Sequence, residues 1–145
     1  MRLIILGPPG SGKGTQAKRL CQKLGMVHFA TGDILREAAR LGTPLGVQAQ
    51  AFMDQGRYVP DQLVNDVVAE RLGQPDRPED FVIDGYPRTL VQALAFDRVL
   101  KQQGLTLDAV LFIKVSDDEI VRRLSGRRVC PKDGMNYHLI NHPPK

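Results

Sequence analysis

Four short apolar runs punctuate the chain, at residues 3–6, 27–30, 81–83 and 109–115, each rich in Val, Ile, Leu or Phe. Between them the apolar positions take helical spacing. Short buried runs alternating with amphipathic stretches predict an α/β fold, with a parallel sheet and helices on both faces. A first helix is predicted to start in the glycine-rich loop after the first run and to pass through Thr15-Gln16-Ala17-Lys18-Arg19-Leu20 to about Leu24, with Gly25 as its stop. Pro60 opens a second, which carries Leu63, Val64, Val67, Val68 and Leu72 on one face. Thr89 caps a third, predicted to bury Leu90, Ala93, Leu94 and Leu100 and to stop near Gly104. Ser116-Asp117-Asp118-Glu119 reads as a capping box ahead of Ile120, Val121 and Leu124. Two stretches break this rhythm. Residues 31–59 hold short helical pieces interrupted by Gly42, Pro44, Gly46 and Gly56, as an insertion between strands would, and from Gly126 onward the pattern becomes turn-rich.

The first apolar run feeds directly into Gly7-Pro8-Pro9-Gly10-Ser11-Gly12-Lys13-Gly14-Thr15. A G-x-x-x-x-G-K spacing between a strand and a helix is the setting of a phosphate-binding loop. Glycines leave the backbone amides uncovered so that they converge on phosphate oxygens. Lys13 adds a mobile cation, and the following helix points its positive end at the same anion. A nucleoside triphosphate is the expected ligand. Gly14 stands where most such loops carry the Ser or Thr that ligates Mg²⁺, and the hydroxyl comes one place later, at Thr15.

Composition narrows the field. The 145 residues fit one domain, and no stretch is long and apolar enough to span a membrane. The short run at residues 3–6 does not make a signal sequence. Two cysteines, Cys21 and Cys130, far apart, suit a reducing compartment better than a disulfide framework. The net charge of +4 comes from basic residues dispersed among acids, with few aromatics, so neither a nucleic-acid platform nor a membrane surface is expected as partner.

Other clusters carry chemistry. Asp84-Gly85-Tyr86-Pro87-Arg88 follows the third apolar run, which puts Asp84 at the carboxyl end of a parallel strand, where open α/β sheets bind ligands. A carboxylate there either holds waters of a phosphate-bound Mg²⁺ or caps a turn. Gly85 permits close backbone approach, and Arg88 offers a planar fork to a phosphate. Thr31-Gly32-Asp33 starts a helix, and with Arg36 one turn on it either serves as a plain cap or holds a second anion. Arg123 and Arg127, four apart, would share one side of a helix, as part of a solvated face or as a pair presented to a triphosphate. Cys130-Pro131-Lys132-Asp133 has the spacing of half a zinc knuckle but does not complete a zinc site, so a metal-free turn is expected. His28 and His138 are expected to be structural.

The segment from Gly7 to Gln16, Thr31-Gly32-Asp33, Asp84-Gly85-Tyr86-Pro87-Arg88-Thr89 with Gln92, Gly126-Arg127-Arg128, and Tyr137-His138 followed by Pro143-Pro144-Lys145 resemble adenylate kinase, in order and along the whole chain. The resemblance implies a P-loop NTPase-like fold. Residues 1–29 and 60–125 would form the core, residues 30–59 a lobe for the nucleoside monophosphate, and residues 126–145 the start of a lid. It also implies reversible transfer between ATP and AMP to give two ADP, in adenine-nucleotide homeostasis, by a cytoplasmic monomer. Gly10, Ser11, Gly12, Lys13, Gly14 and Thr15, with Arg123 and Arg127, would hold ATP phosphates, while Asn136 and Tyr137 would lie near its base or ribose. Thr31, Arg36, Arg57, Tyr58, Val59, Gly85, Arg88 and Gln92 would hold AMP, with Gln92 at the adenine-reading position. Lys13, Arg88, Arg123 and Arg127 would neutralise the moving charge, and Asp84 would reach Mg²⁺ through water. Long-lid members continue past this point, with two further arginines, a fifth strand and two more helices. The implied chain thus stops within its lid, and on its own is expected not to turn over at a normal rate. Two alternatives accompany this one: a non-catalytic nucleotide-binding remnant, and a kinase for another nucleoside monophosphate.

Overall fold

The computed structural model describes residues 1–130, 136–140 and 143. Its main sheet has four parallel strands, β1 (Arg2–Leu6), β2 (Val27–Ala30), β3 (Phe81–Asp84) and β4 (Ala109–Phe112), in the order β2-β3-β1-β4. These are the four predicted runs, and their parallel pairing confirms the expected α/β class. β1 is central, with Ile5 opposite Asp84 on one side and Leu111 on the other. After β3 the chain crosses to the far side of β1, which opens a crevice at the strands' carboxyl ends.

Strand alternation sends side chains to two different cores. Leu3, Ile5 and Val82 pack with Ala17, Cys21 and Met26 under α1 (Lys13–Leu24). Ile4, Phe81 and Ile83 face the larger cluster, built with Val67, Val68 and Leu72 of α4 (Asp61–Gly73) and with Phe96 and Leu100 of α5 (Leu90–Gln102). Between β2 and α4 the insertion forms α2 (Thr31–Arg40) and α3 (Pro44–Asp54), which pack on each other and on α4. Gly46 makes that approach possible, since a Cβ there would overlap the backbone of Ala38.

Two sequence expectations are corrected. On α5 the buried positions are Gln92, Phe96 and Leu100, while Leu90 and Leu94 are exposed. Both stripes have four-residue spacing, and contact with α4 selects the one carrying Phe96. In α6 (Asp117–Ser125) Ser116 makes no side-chain cap, and Glu119 is turned toward Arg122 and Arg123, so neither half of the capping box forms. After Gly126 a small antiparallel ladder pairs β5 (Arg127–Val129) with β6 (Asn136–His138). The expected turn at residues 131–133, and Pro144 and Lys145, lie outside the described residues.

Candidate nucleotide-phosphate site

The loop after β1 is shaped by glycines where the backbone demands them. Gly10 and Gly12 have φ of 80° and 95°, in the left-handed region, and Gly12 starts α1 without any side-chain cap. The helix's first amides are therefore left for an anion. Lys13 Nζ arches back to donate to Pro8 O at 2.9 Å. Burial pulls its ammonium below the usual lysine range; Asp84 opposes the shift, and Arg88 and Arg127 add to it. These four side chains, distant in sequence, thus act on one another. Ser11 is buried with its hydroxyl unpartnered, so its side chain faces the scaffold. Thr15 is on the exposed side of α1.

Asp84 ends β3 and comes close to the start of α1, where a Cβ on Gly14 would stand 3.3 Å from its Oδ2. A Ser or Thr at position 14 would crowd that carboxylate, which accounts for the glycine after the lysine. On its other side Asp84 Oδ2 is 3.4 Å from His28 Nε2, an atom that is buried and makes no hydrogen bond. His28, expected to be structural, is thus the neighbour that flanks the carboxylate. Among the described residues no group of three or more His, Cys, Asp or Glu could cage a metal. A single carboxylate at a phosphate loop suits a hard cation held mainly by phosphate and water.

Arg123 and Arg127 do not share a helix. α6 ends at Ser125, and Arg127 belongs to β5. Both nonetheless serve the loop: Arg123 Nη1 donates to Ser11 O at 3.3 Å, and the charge of Arg127 is felt at Lys13. Leu124 seats α6 on the loop, since a Cβ on Gly10 would stand 3.0 Å from its Cγ. Glu119 accepts from Arg123 Nε at 2.6 Å and from Arg122 at 2.7 and 2.8 Å. Those hydrogen bonds, that of Arg122 foremost, hold its carboxyl down at about 2. Sequence inspection gave Glu119 a capping role; its spacing of four from Arg123 was the available sign of the other.

Across the crevice, Thr31 Oγ1 donates to Asp84 O at 3.1 Å and ties α2 to β3. Gly85 has a φ of 82°, and Arg88 folds over it with Nε donating to Gly85 O at 2.6 Å. Gln92 is only 5% exposed and held within the scaffold. The remaining predicted contacts keep local company. Arg36 pairs with Asp33, Arg57 lies over the Phe52 ring, Tyr58 is exposed and Val59 packs on the core. Asn136 and Tyr137 sit in β6, opposite Val129 and Arg128. Of the predicted residues, Arg123 bonds the loop at Ser11 O, and Asp84, Arg88 and Arg127 act on Lys13 through their charges. Asp61, which sequence inspection passed over, anchors Gln92 from α4.

The sequence is similar to those of known proteins. A family profile described as adenylate kinase matches residues 5–140. The adenylate kinase of Methanocella arvoryzae is 50% identical over 145 residues, covering 100% of this chain and 67% of that protein. Those of Archaeoglobus fulgidus and Rhizobium rhizogenes are each 52% identical over 145 residues. The chain spans about two thirds of the length of the curated relatives it matches. With a parallel sheet, a phosphate loop at its central strand and half of all positions shared with such proteins, this chain belongs to the adenylate kinase family.

Proposed function

We propose that the chain carries out reversible phosphoryl transfer between ATP and AMP, giving two ADP. The observation that carries this is the Asp84 carboxylate set against the start of α1, 3.3 Å from where a Cβ on Gly14 would stand, with Arg123 bonded to the loop at Ser11 O and the charges of Arg88 and Arg127 acting on Lys13. Such cations suit a group whose negative charge spreads over three oxygens as it moves.

In this arrangement the loop amides from Gly10 to Thr15 and Lys13 hold the donor's phosphates. Arg123, fixed by Glu119 and Ser11 O, and Arg127 from β5 stand over the same phosphates. Arg88, at the turn after β3, faces the acceptor phosphate, with Gly85 leaving its backbone open. Residues 30–59 form the acceptor lobe, where Thr31, Arg36, Arg57, Tyr58, Val59 and Gln92 surround AMP. Residues 126–145 begin the lid, with Asn136 and Tyr137 beside the donor base or ribose. Asp84 fits a water-mediated contact to Mg²⁺, which when bound neutralises donor phosphate charge. Transfer then requires only alignment and charge neutralisation, with no covalent intermediate, and closure of the two lobes keeps water out. We place the protein in the cytoplasm as a monomer.

A coupled assay for ADP tests this. AMP is expected to be the best acceptor, compared with GMP, CMP and UMP, whatever the absolute rate of the 145-residue chain. Lys13→Ala is expected to lower transfer by about 100-fold or more with the circular dichroism unchanged. A better rate with another monophosphate, or near-normal transfer by Lys13→Ala, overturns the assignment.

A further inference from the structure

Gln92 sits between two partners of opposite and unchangeable hydrogen-bonding sense. Its Nε2 donates to Asp61 Oδ1 at 2.7 Å, and its Oε1 accepts from the Arg88 backbone N–H at 2.7 Å. An ionised carboxylate only accepts and a backbone N–H only donates, so the amide has one orientation here. Turning it over would set oxygen against carboxylate and N–H against N–H. Asp61 is itself fixed, because its Oδ2 accepts from Thr89 Oγ1 at 2.7 Å, and that hydroxyl in turn accepts from Gln92 N at 3.1 Å. Tyr86 OH joins the same assembly, donating to Asn65 Oδ1 at 2.8 Å one helical turn along α4 from Asp61. At 5% exposure Gln92 has little freedom to reorganise.

After these bonds the amide keeps one N–H on Nε2 and one lone pair on Oε1, in a fixed order. Adenine presents a ring-nitrogen acceptor beside its 6-amino donor, whereas guanine has a 6-keto acceptor in the amino group's place. A locked amide matches the first arrangement and opposes the second; an amide free to flip could serve either. We propose that Asp61 is a specificity-determining positioning residue, which locks the Gln92 amide in the orientation that accepts adenine and rejects guanine. This rests on the assignment of Gln92 to the acceptor base made above.

The test is equilibrium binding of AMP and GMP to the 145-residue chain and its variants, with thermal midpoints recorded alongside. Asp61→Asn keeps the shape but can turn its own N–H₂ toward Gln92, which removes the acceptor-only partner of Nε2 and leaves the Arg88 N–H alone to hold the amide. It is expected to cut the preference for AMP over GMP by about tenfold, within the range a bidentate base contact confers. Asp61→Glu, again acceptor-only, is expected to restore most of it. An unchanged preference in Asp61→Asn, or an equal weakening of both nucleotides, overturns the proposal and leaves the Gln92 assignment standing. Gln92→Leu separates the two: if it retains the AMP preference, the base-reading assignment itself falls, and the role of Asp61 with it. Independently of any variant, the Gln92 side-chain amide protons are expected to exchange slowly in the unaltered chain. Fast exchange would overturn the lock.

Discussion

The two sides of β1 are paired alike and covered differently. On one side β3 is buried along Phe81, Val82 and Ile83, sandwiched between α1 and the α4/α5 layer. On the other side β4 pairs with β1 in the same parallel fashion over four residues, yet all four are exposed, and Phe112 reaches 67%. α6 buries none of its residues, and a groove of about 370 Å³ between α1 and β4 is lined by Ile5, Leu20, Leu111 and Ile113. The residue types of the two strands hardly differ. An apolar run therefore specifies a strand, while burial depends on what lies over it. The open side is nonetheless not idle, since it delivers Arg123 to the phosphate loop. Charge at the phosphate loop is recruited from both sides of β1, and burial mainly from one.

The sharpest test of that asymmetry is Phe81→Ala. Phe81 is fully buried against Phe29, and its truncation is expected to cost about 3–5 kcal/mol in urea unfolding. A loss under about 1 kcal/mol would mean the covered side is not where stability resides. A smaller effect is expected at Tyr86, on the same side. Burial, then Asp61 and Asp66, push its phenol up to about 12 from an ordinary value of 10.0. A raised acid pKa means the folded state holds its proton longer than the unfolded chain does. The associated stability is present below pH 10 and lost as pH climbs toward 12. Tyr86→Phe should flatten that alkaline decline and cost about 1–2 kcal/mol at neutral pH by unpairing Asn65. Equal alkaline profiles for the two proteins would remove Tyr86 from the account. The smallest effect belongs to the open side. Phe112→Ser should leave stability within about 0.5 kcal/mol while lowering light scattering, because it takes an exposed aromatic off an edge strand. A loss comparable to that of Phe81→Ala would erase the distinction between the sides.

Much of this was legible in the chain. Strand positions, the start and stop of α1 and the buried face of α4 follow from runs, periodicity and glycine, all local signals. The buried face of α5 was not, because Leu90/Leu94 and Gln92/Phe96 have the same spacing, and only the contact with α4 distinguishes them. A buried glutamine looks wrong in sequence until Asp61, 31 residues away, and the Arg88 amide are seen to satisfy it. The helical pairing of Arg123 with Arg127 failed for a local reason, since the helix ends at Ser125. Arg123 reaches the loop instead through the seat of Leu124 on Gly10, while Arg127 leaves the helix for the β5–β6 ladder. The family resemblance supplied roles that no local pattern contained, and the structure adds that the charges of Asp84, Arg88 and Arg127 act on Lys13.

Gly14 has a consequence beyond making room. The bare start of α1 receives a carboxylate that β3 carries, so lysine and acid meet only if β3 lies against β1 with Ile5 opposite Asp84. A one-residue slip would swing Asp84 to the opposite face of the sheet and leave Lys13 alone. The site thus works as a proofreader of strand alignment: only a correctly threaded sheet sets the Asp84 carboxylate beside the phosphate loop. Nucleotide would then favour the right alignment by mass action, and refolding in its presence would select the chains whose strands are in step.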